Sequence, residues 1–289
     1  MLIERVLKRL PGFRLRRTVR NHQSATADDH EYTLFESETL QLRDLSVERL
    51  ADLSRDPTLL GNAFRIRVAR RLEPADEAAS LVKRRYNSRG YQVSPTSLDP
   101  NLFTFLAYNN GALVGTVSIR VDSTRGLAAD GLYKNEIDAF REAESLICEF
   151  TRLAIDVDAE SKQVLAGLFH TAYLFAHRVR GCKSAVIEVN PRHVVFYERA
   201  LAFEKLGPER MNPRVGAAAE LLCVRFQTIA NALAKYAGRP ELAQSTRLLF
   251  PYGFSAKDEK GILGRLWAFS ESYAEAYVAS LQAPVVEKS

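Results

Sequence analysis

The chain is 289 residues long, 46% hydrophobic and 26% charged, with a formal net charge of +5. This is the composition of a globular protein able to bury a core, and it excludes collagen-like, repeat-driven and wholly disordered chains. No apolar run reaches 18 residues, which excludes a membrane-spanning helix, and the length suits one large domain with appendages or two small ones.

The chain begins basic. Arg5, Lys8, Arg9, Arg14, Arg16, Arg17 and Arg20 stand against Glu4 alone in residues 1–20, so the remainder is near neutral. Ile3, Val6, Leu7 and Leu10 fall at i, i+3, i+4 and i+7, which predicts a short amphipathic helix ending at Pro11-Gly12. Such a segment suits an anionic membrane surface, or serves as a mobile basic arm. A near-neutral body argues against an enzyme of nucleic acids, whose channel would be positive throughout, so no nucleic-acid partner is expected. No secretory signal is visible, because Glu4 and Arg5 interrupt the start. Residues 18–31 read as a polar loop, and residues 32–60 as two short, weakly helical stretches.

From Phe64 the texture changes. Phe64 to Ala69 alternates apolar and basic residues, the pattern of a half-buried strand. Pro74 to Tyr86 reads as a helix with proline in its first turn. Phe103 to Tyr108 and Leu113 to Val121, joined by Asn109-Asn110-Gly111, read as a hairpin. Leu146 to Ile155 is a second long strand. Glu160 to Arg180 is a helix stopped by Gly181. Ser184 to Val189 is a strand of buried type, and Asn190-Pro191 caps and starts a helix through Ala200. Leu221 to Phe226 is a last strand. The tail after Thr228 is helical, broken at Gly238-Arg239-Pro240. The order of elements predicts an α/β (α+β) protein with a mixed sheet flanked by helices. Its expected parts are a basic, partly helical N-terminal extension (1–62), a mixed-sheet domain (63–228) and a helical C-terminal tail (229–289).

Cys148, Cys182 and Cys223 are odd in number and far apart, so they read as small buried hydrophobes in a reducing, cytoplasmic setting. The five histidines form no metal-ligand spacing, and the P-loop, GxGxxG, HExxH and GxSxG motifs are missing. Two segments stand out. Cys148 to Asp156 (CEFTRLAID) sets Glu149 and Arg152 in an otherwise apolar strand, where charge is costly unless paired or used. A regular strand points the two to opposite faces, and a bulge near Phe150-Thr151 would bring them towards one cleft. Asn190 to Arg199 (NPRHVVFYER) puts His193 and Tyr197 four apart on one helix.

"NPRHVVFYERALAFEKLG", "GALVGTVSIR" and "CEFTRLAID" resemble, in order, segments of GNAT-fold acyltransferases. The combination resembles the FeeM-type N-acyl amino acid synthases, relatives of the acyl-homoserine-lactone synthases, over roughly Phe64 to Gln227. Arg120, Glu149 and Arg152 match the arginine, glutamate and arginine of the latter. "KRRYNSRGYQV", containing Arg85 and followed by Asp99, is a looser echo of their amino-acceptor region. The resemblance implies a splayed GNAT-like sheet and an enzyme moving a long-chain fatty acyl group from acyl carrier protein to the α-amine of an amino acid. The glycine pattern with which CoA-using relatives cradle pyrophosphate is missing from Val157 to Gly167. That disfavours acyl-CoA and favours the acyl-phosphopantetheine arm of a carrier protein. No permanently bound cofactor is implied. Carrier proteins are acidic, which makes Lys162, Arg178, Arg180 and Lys183 docking candidates. The expected catalytic residues are Glu149 as base, Arg152 as its partner or as a clamp on the acceptor carboxylate, and Tyr197 as proton donor to the thiolate. Arg85, Asp99, Arg120, Asn190 and His193 are the expected substrate-binding residues. Three readings compete with this one: an acyl-homoserine-lactone synthase, a CoA-dependent GNAT acetyltransferase, and a non-catalytic GNAT-like binding module. The expected location is cytoplasmic, with peripheral membrane contact through the arm.

Overall fold

A computed structural model describes residues 33–37, 64–69, 79, 81–82, 99–144, 146–156 and 162–282, with 274–282 as backbone only. The strands are β1 (Thr33–Ser37), β2 (Phe64–Val68), β3 (Leu102–Asn109), β4 (Ala112–Val121), β5 (Ile147–Ile155), β6 (Ser184–Val189), β7 (Glu204–Asn212) and β8 (Ala217–Arg225). They form one sheet in the order β1-β2-β3-β4-β5-β6-β8-β7. Neighbours are antiparallel except β5 and β6. The helices are α1 (Asp130–Ala143), α2 (Lys162–Tyr173), α3 (Pro191–Leu201), α4 (Phe226–Tyr236) and α5 (Ala256–Gln282). The mixed, splayed sheet flanked by helices is the architecture that the resemblance implies.

Local chemistry explains the elements that the pattern predicts. Asn110 and Gly111 turn the β3–β4 hairpin with φ of 52° and 74°, the positive values that its tight turn requires. Asn190 Oδ1 accepts the Arg192 N–H at 3.3 Å, and Pro191 opens α3 where an amide would be orphaned anyway. The predicted helix 160–180 is α2, which widens into a π-helical segment (Leu174–Val179) before Gly181.

Three elements differ from the expected pattern. Thr33–Ser37 is an edge strand with Leu34 and Phe35 buried, where weak helix was expected; pairing with β2 overrides local preference. Helix α1 buries only Tyr133, Ile137 and Phe140, too thin a stripe to mark a polar stretch as helical. β7 contains Gly207-Pro208, which reads as a turn. It survives as a strand because it lies at the sheet edge, and its register with β8 slips on either side of Gly207. Of the predicted helix 74–86, Ala79, Leu81 and Val82 are described, and they are helical. The basic arm lies outside the described residues. Among the described residues no helix is long and apolar enough to cross a membrane.

The sheet has two unlike faces. One packs against α2, α3 and the C-terminal tail around Phe103, Phe105, Phe150, Phe169 and Phe175. The other meets α1 through Tyr133, Ile137, Ile147, Val186 and Leu221. His170 of α2 is buried, and its Nδ1 accepts the Phe254 N–H at 3.1 Å. Its Nε2 lies 3.5 Å from Glu259 Oε2, so the imidazole sits between the turn at Phe254 and the first turns of α5. Cys148, Cys182 and Cys223 are free and buried.

Candidate active site

The site is built where β5 loses one neighbour and slips against the other. β5 and β6 share three rungs, Ile147–Ser184, Cys148–Ala185 and Glu149–Val186, and then part while both strands continue. On its other side β5 pairs Ser118 with Thr151 and Thr116 with Ala154, so Arg152 and Leu153 together oppose Val117. The bulge thus lies two residues beyond the predicted Phe150-Thr151. Arg152 takes φ +52°, a left-handed conformation costing a non-glycine residue about 1–3 kcal/mol and typical of functional sites.

Glu149, the last paired residue before the parting, is buried on the α1 face beside its cross-strand partner Arg120. Its Oε2 accepts the Ala128 N–H at 2.6 Å. Burial pushes the carboxyl above its usual range, against the pull of the Ala128 and Ala129 amides, Arg120 and Arg214. Arg120 Nε lies 2.9 Å from Asp99 Oδ2, so the fold brings together three residues that the sequence singles out.

The loop that supplies Ala128 is itself clamped. Arg141 binds Asp122 (2.6 and 2.9 Å) and Asp130 (2.7 and 2.7 Å), and Asp130 also accepts the Leu127 N–H at 2.7 Å. Burial raises the Asp130 carboxyl, but the Arg141 fork, the Leu127 amide and Lys134 outweigh it and hold the carboxyl below its usual value. A depressed carboxylate stabilises the fold above its unfolded pKa, and that stabilisation disappears as pH falls through the folded value. Arg141→Met is therefore expected to lose about 1–3 kcal/mol at pH 7 and markedly less at pH 3, measured by urea denaturation. An equal loss at both pH values would show that the clamp is not electrostatic.

A second carboxylate was missed in the sequence. Glu188 lies on β6 two residues past Val186, and therefore on the same face as Glu149. Its side chain is 13% exposed. Oε2 accepts from Asn212 Nδ2 (3.2 Å) and from Arg214 Nη2, whereas Oε1 is buried without a hydrogen-bond partner among the described residues. Burial pushes this carboxyl up to about 7, with Glu149 adding to the rise and Arg214 opposing it. The signal was the one that marks Glu149, a charge inside an apolar strand (SAVIEV).

Across the sheet, Phe150 points the other way and walls a narrow apolar cavity of ≈ 20 Å³. Ala166, Phe169 and His170 of α2 line it, with Leu201 at the end of α3 and Phe203 just beyond it. Its remaining walls are Ile229, Leu233, Leu249, Phe250 and Gly253, all from the C-terminal tail. Tyr197 is buried on this side, its ring 6.4 Å from Phe169 and 5.7 Å from Phe203, so the fold sets it behind the sheet rather than beside Glu149.

The remaining predicted residues are dispersed. Asn190 is engaged as the cap of α3 and donates to Ala218 O at 3.1 Å. His193 is half-buried in the first turn of α3. Lys162 is exposed at the start of α2, while Arg178, Arg180 and Lys183 lie past its far end, roughly 20 Å away at 1.5 Å per residue. Arg180 packs over the Phe103 ring. Arg85 lies outside the described residues, as do residues 157–161 of the loop before α2. Among the described residues no group of three His, Cys, Asp or Glu side chains is placed to hold a metal ion.

A mixed sheet opened between two parallel strands, with an acid at the parting and an apolar cavity behind it, is the arrangement that the resemblance to GNAT-fold acyltransferases implies. Residues 77–225, just over half of the chain, match the family described as N-acyl amino acid synthase FeeM. The chain belongs to that family and is an N-acyltransferase. Its structure is similar to that of FeeM, an N-acyl amino acid synthase from uncultured soil microbes: 25% identity, TM-score 0.53, 57% of this chain and 92% of that one. It is less similar to an acetyltransferase of the GNAT family from Streptococcus pneumoniae (18% identity, TM-score 0.40, 56% and 99% of the two chains). The same holds for the AHL synthase LasI (14%, 0.38, 57% and 91%). No curated protein matches the chain.

Proposed function

We propose that the protein transfers a long-chain fatty acyl group from the phosphopantetheine thioester of acyl carrier protein to the α-amine of an amino acid. The observation that carries this reading is the narrow apolar cavity against Phe150, on the reverse side of the strand from the charged cluster of Glu149, Arg120 and Glu188. An alkyl chain belongs in the first and a zwitterionic acceptor in the second.

The proposed chemistry follows from that division. The thioester carbonyl sits at the parting of β5 and β6, and backbone N–H groups of β5 beyond its last rung with β6 stabilise the oxyanion. Arg120, held by Asp99, clamps the acceptor carboxylate, with Arg152 as the other candidate. Tyr197, beside the cavity walls Phe169 and Phe203, protonates the leaving thiolate. His193 and Asn190 of the α3 start, and Arg85 by the resemblance, complete the proposed substrate-binding residues. The exposed Lys162, Arg178 and Lys183, with Arg180, receive the acidic carrier protein, while the basic arm gives the enzyme peripheral contact with anionic membrane.

The test offers the purified full chain palmitoyl–carrier protein or palmitoyl-CoA, with a pool of amino acids, and identifies the product by mass. An N-palmitoyl amino acid formed faster from the carrier protein is expected. A lactone formed only with S-adenosylmethionine, or acetylation alone, would replace this reading.

A further inference from the structure

Glu149 and Glu188 share a face at the parting of two strands, but the fold treats them differently. Glu149 is tied to the Ala128 amide and fixes the loop that enters α1. Glu188 is held from one side by Asn212 and Arg214, which orient it through Oε2. Its other oxygen is buried and accepts nothing among the described residues. A buried, unsatisfied carboxylate oxygen is costly, and native structures keep one where a ligand completes it. The missing partner is a donor, and the acceptor's ammonium carries three.

We propose that Glu188 is a catalytic residue: its Oε1 receives the α-ammonium of the acceptor and removes the first proton, while Glu149 acts as a positioning residue. This rests on the acyl-transfer reading above. The balance closes as follows. R–NH3+ gives one proton to the Glu188 carboxylate, leaving a free amine. The amine nitrogen attacks the thioester carbon, a C–N bond forms and the C–S bond breaks. The departing sulfur takes a proton from Tyr197, which the second proton leaving the nitrogen replaces; the third stays on the amide, and Glu188 returns its proton to water.

The charged and titratable groups around Glu188 fit this task. Burial and Glu149 favour its protonated form, and Arg214 opposes them. Tyr133, from α1, is pushed up to about 12 by burial and by Glu188, and its hydroxyl is engaged with the Pro208 and Ala219 carbonyls. It therefore does not compete for the proton near neutrality. A base that titrates near pH 7 matches the optimum for general-base work there.

The experiment compares full-length wild type, E188Q and E149Q with a palmitoyl thioester and either an amino acid pool or hydroxylamine. Hydroxylamine is already a free base at pH 7 and needs no proton removed. Wild-type kcat/KM for amino acids should rise with pH through a midpoint near 7. E188Q should lose about 100-fold and that limb, yet stay within a few-fold of wild type with hydroxylamine after the uncatalysed rate is subtracted. E149Q should lose activity with both acceptors and keep the limb. If E188Q does not fold, E188D carries the test: it should be slower than wild type with the limb retained. An unchanged limb in E188Q, an equal loss with both acceptors, or an E188D without the limb would overturn the assignment. Failure of the wild type to make any N-acyl product would instead overturn the acyl-transfer reading itself.

Discussion

Cutting the chain after Arg225, where the family match ends, is expected to abolish folding rather than trim an appendage. Phe226 follows at once and is fully buried. Ile229, Leu233, Phe250, Phe254 and Ile262 join the same core as Phe150 and Phe169. Burying each such side chain contributes about 1.5–3 kcal/mol, so these six rival the ~5–15 kcal/mol by which a domain is stable at all. The cut also uncovers His170, whose Nδ1 loses the Phe254 amide, and leaves α2 with an apolar face in water. Circular dichroism and thermal melting of residues 1–225 should show no cooperative transition, or only aggregate. A cooperative melt near that of the full chain would show the tail to be accessory.

Ala166→Phe is expected to change which acyl chain the enzyme accepts. Ala166 is a buried wall of the cavity beneath Phe150, so a phenyl ring there occupies space proposed for the far end of the chain. Each methylene denied burial forfeits about 0.8 kcal/mol, so excluding four costs roughly 3 kcal/mol, on the order of 100-fold in kcat/KM. A butyryl donor never reaches that depth and should keep most of its rate, which makes it the internal control. Overpacking is expected to lower stability by about 1–3 kcal/mol, so melting is followed alongside. Equal losses for palmitoyl and butyryl donors would place the chain elsewhere.

Both expectations depend on a tail whose helices were legible but whose place was not. The break at Gly238-Arg239-Pro240 and the apolar residues Ile262, Leu263 and Leu266 read as helices in sequence. That α4 and the turn at Phe250 close a cavity against α2 follows only from packing. Helix α1 is the counterexample. Nothing in its thin stripe announced it, yet it delivers Ala128 to Glu149 through the loop clamped by Arg141.

What the sequence determined by itself is local. Asn110-Gly111 demands a tight hairpin turn, Asn190-Pro191 starts a helix, and Glu149 in an apolar strand marks a charge with a use. Only the tertiary structure decided which carboxylate is tethered and which keeps an oxygen free, where β5 bulges, and which face holds Tyr197. The physical reason is range. Caps and turns are hydrogen bonds between near neighbours, whereas Ala128 meets Glu149 across 21 residues, Arg214 meets Glu188 across 26, and Phe254 meets His170 across 84. Burial and the partners brought from those distances set the chemistry of each acid, and neither is written in the residues beside it.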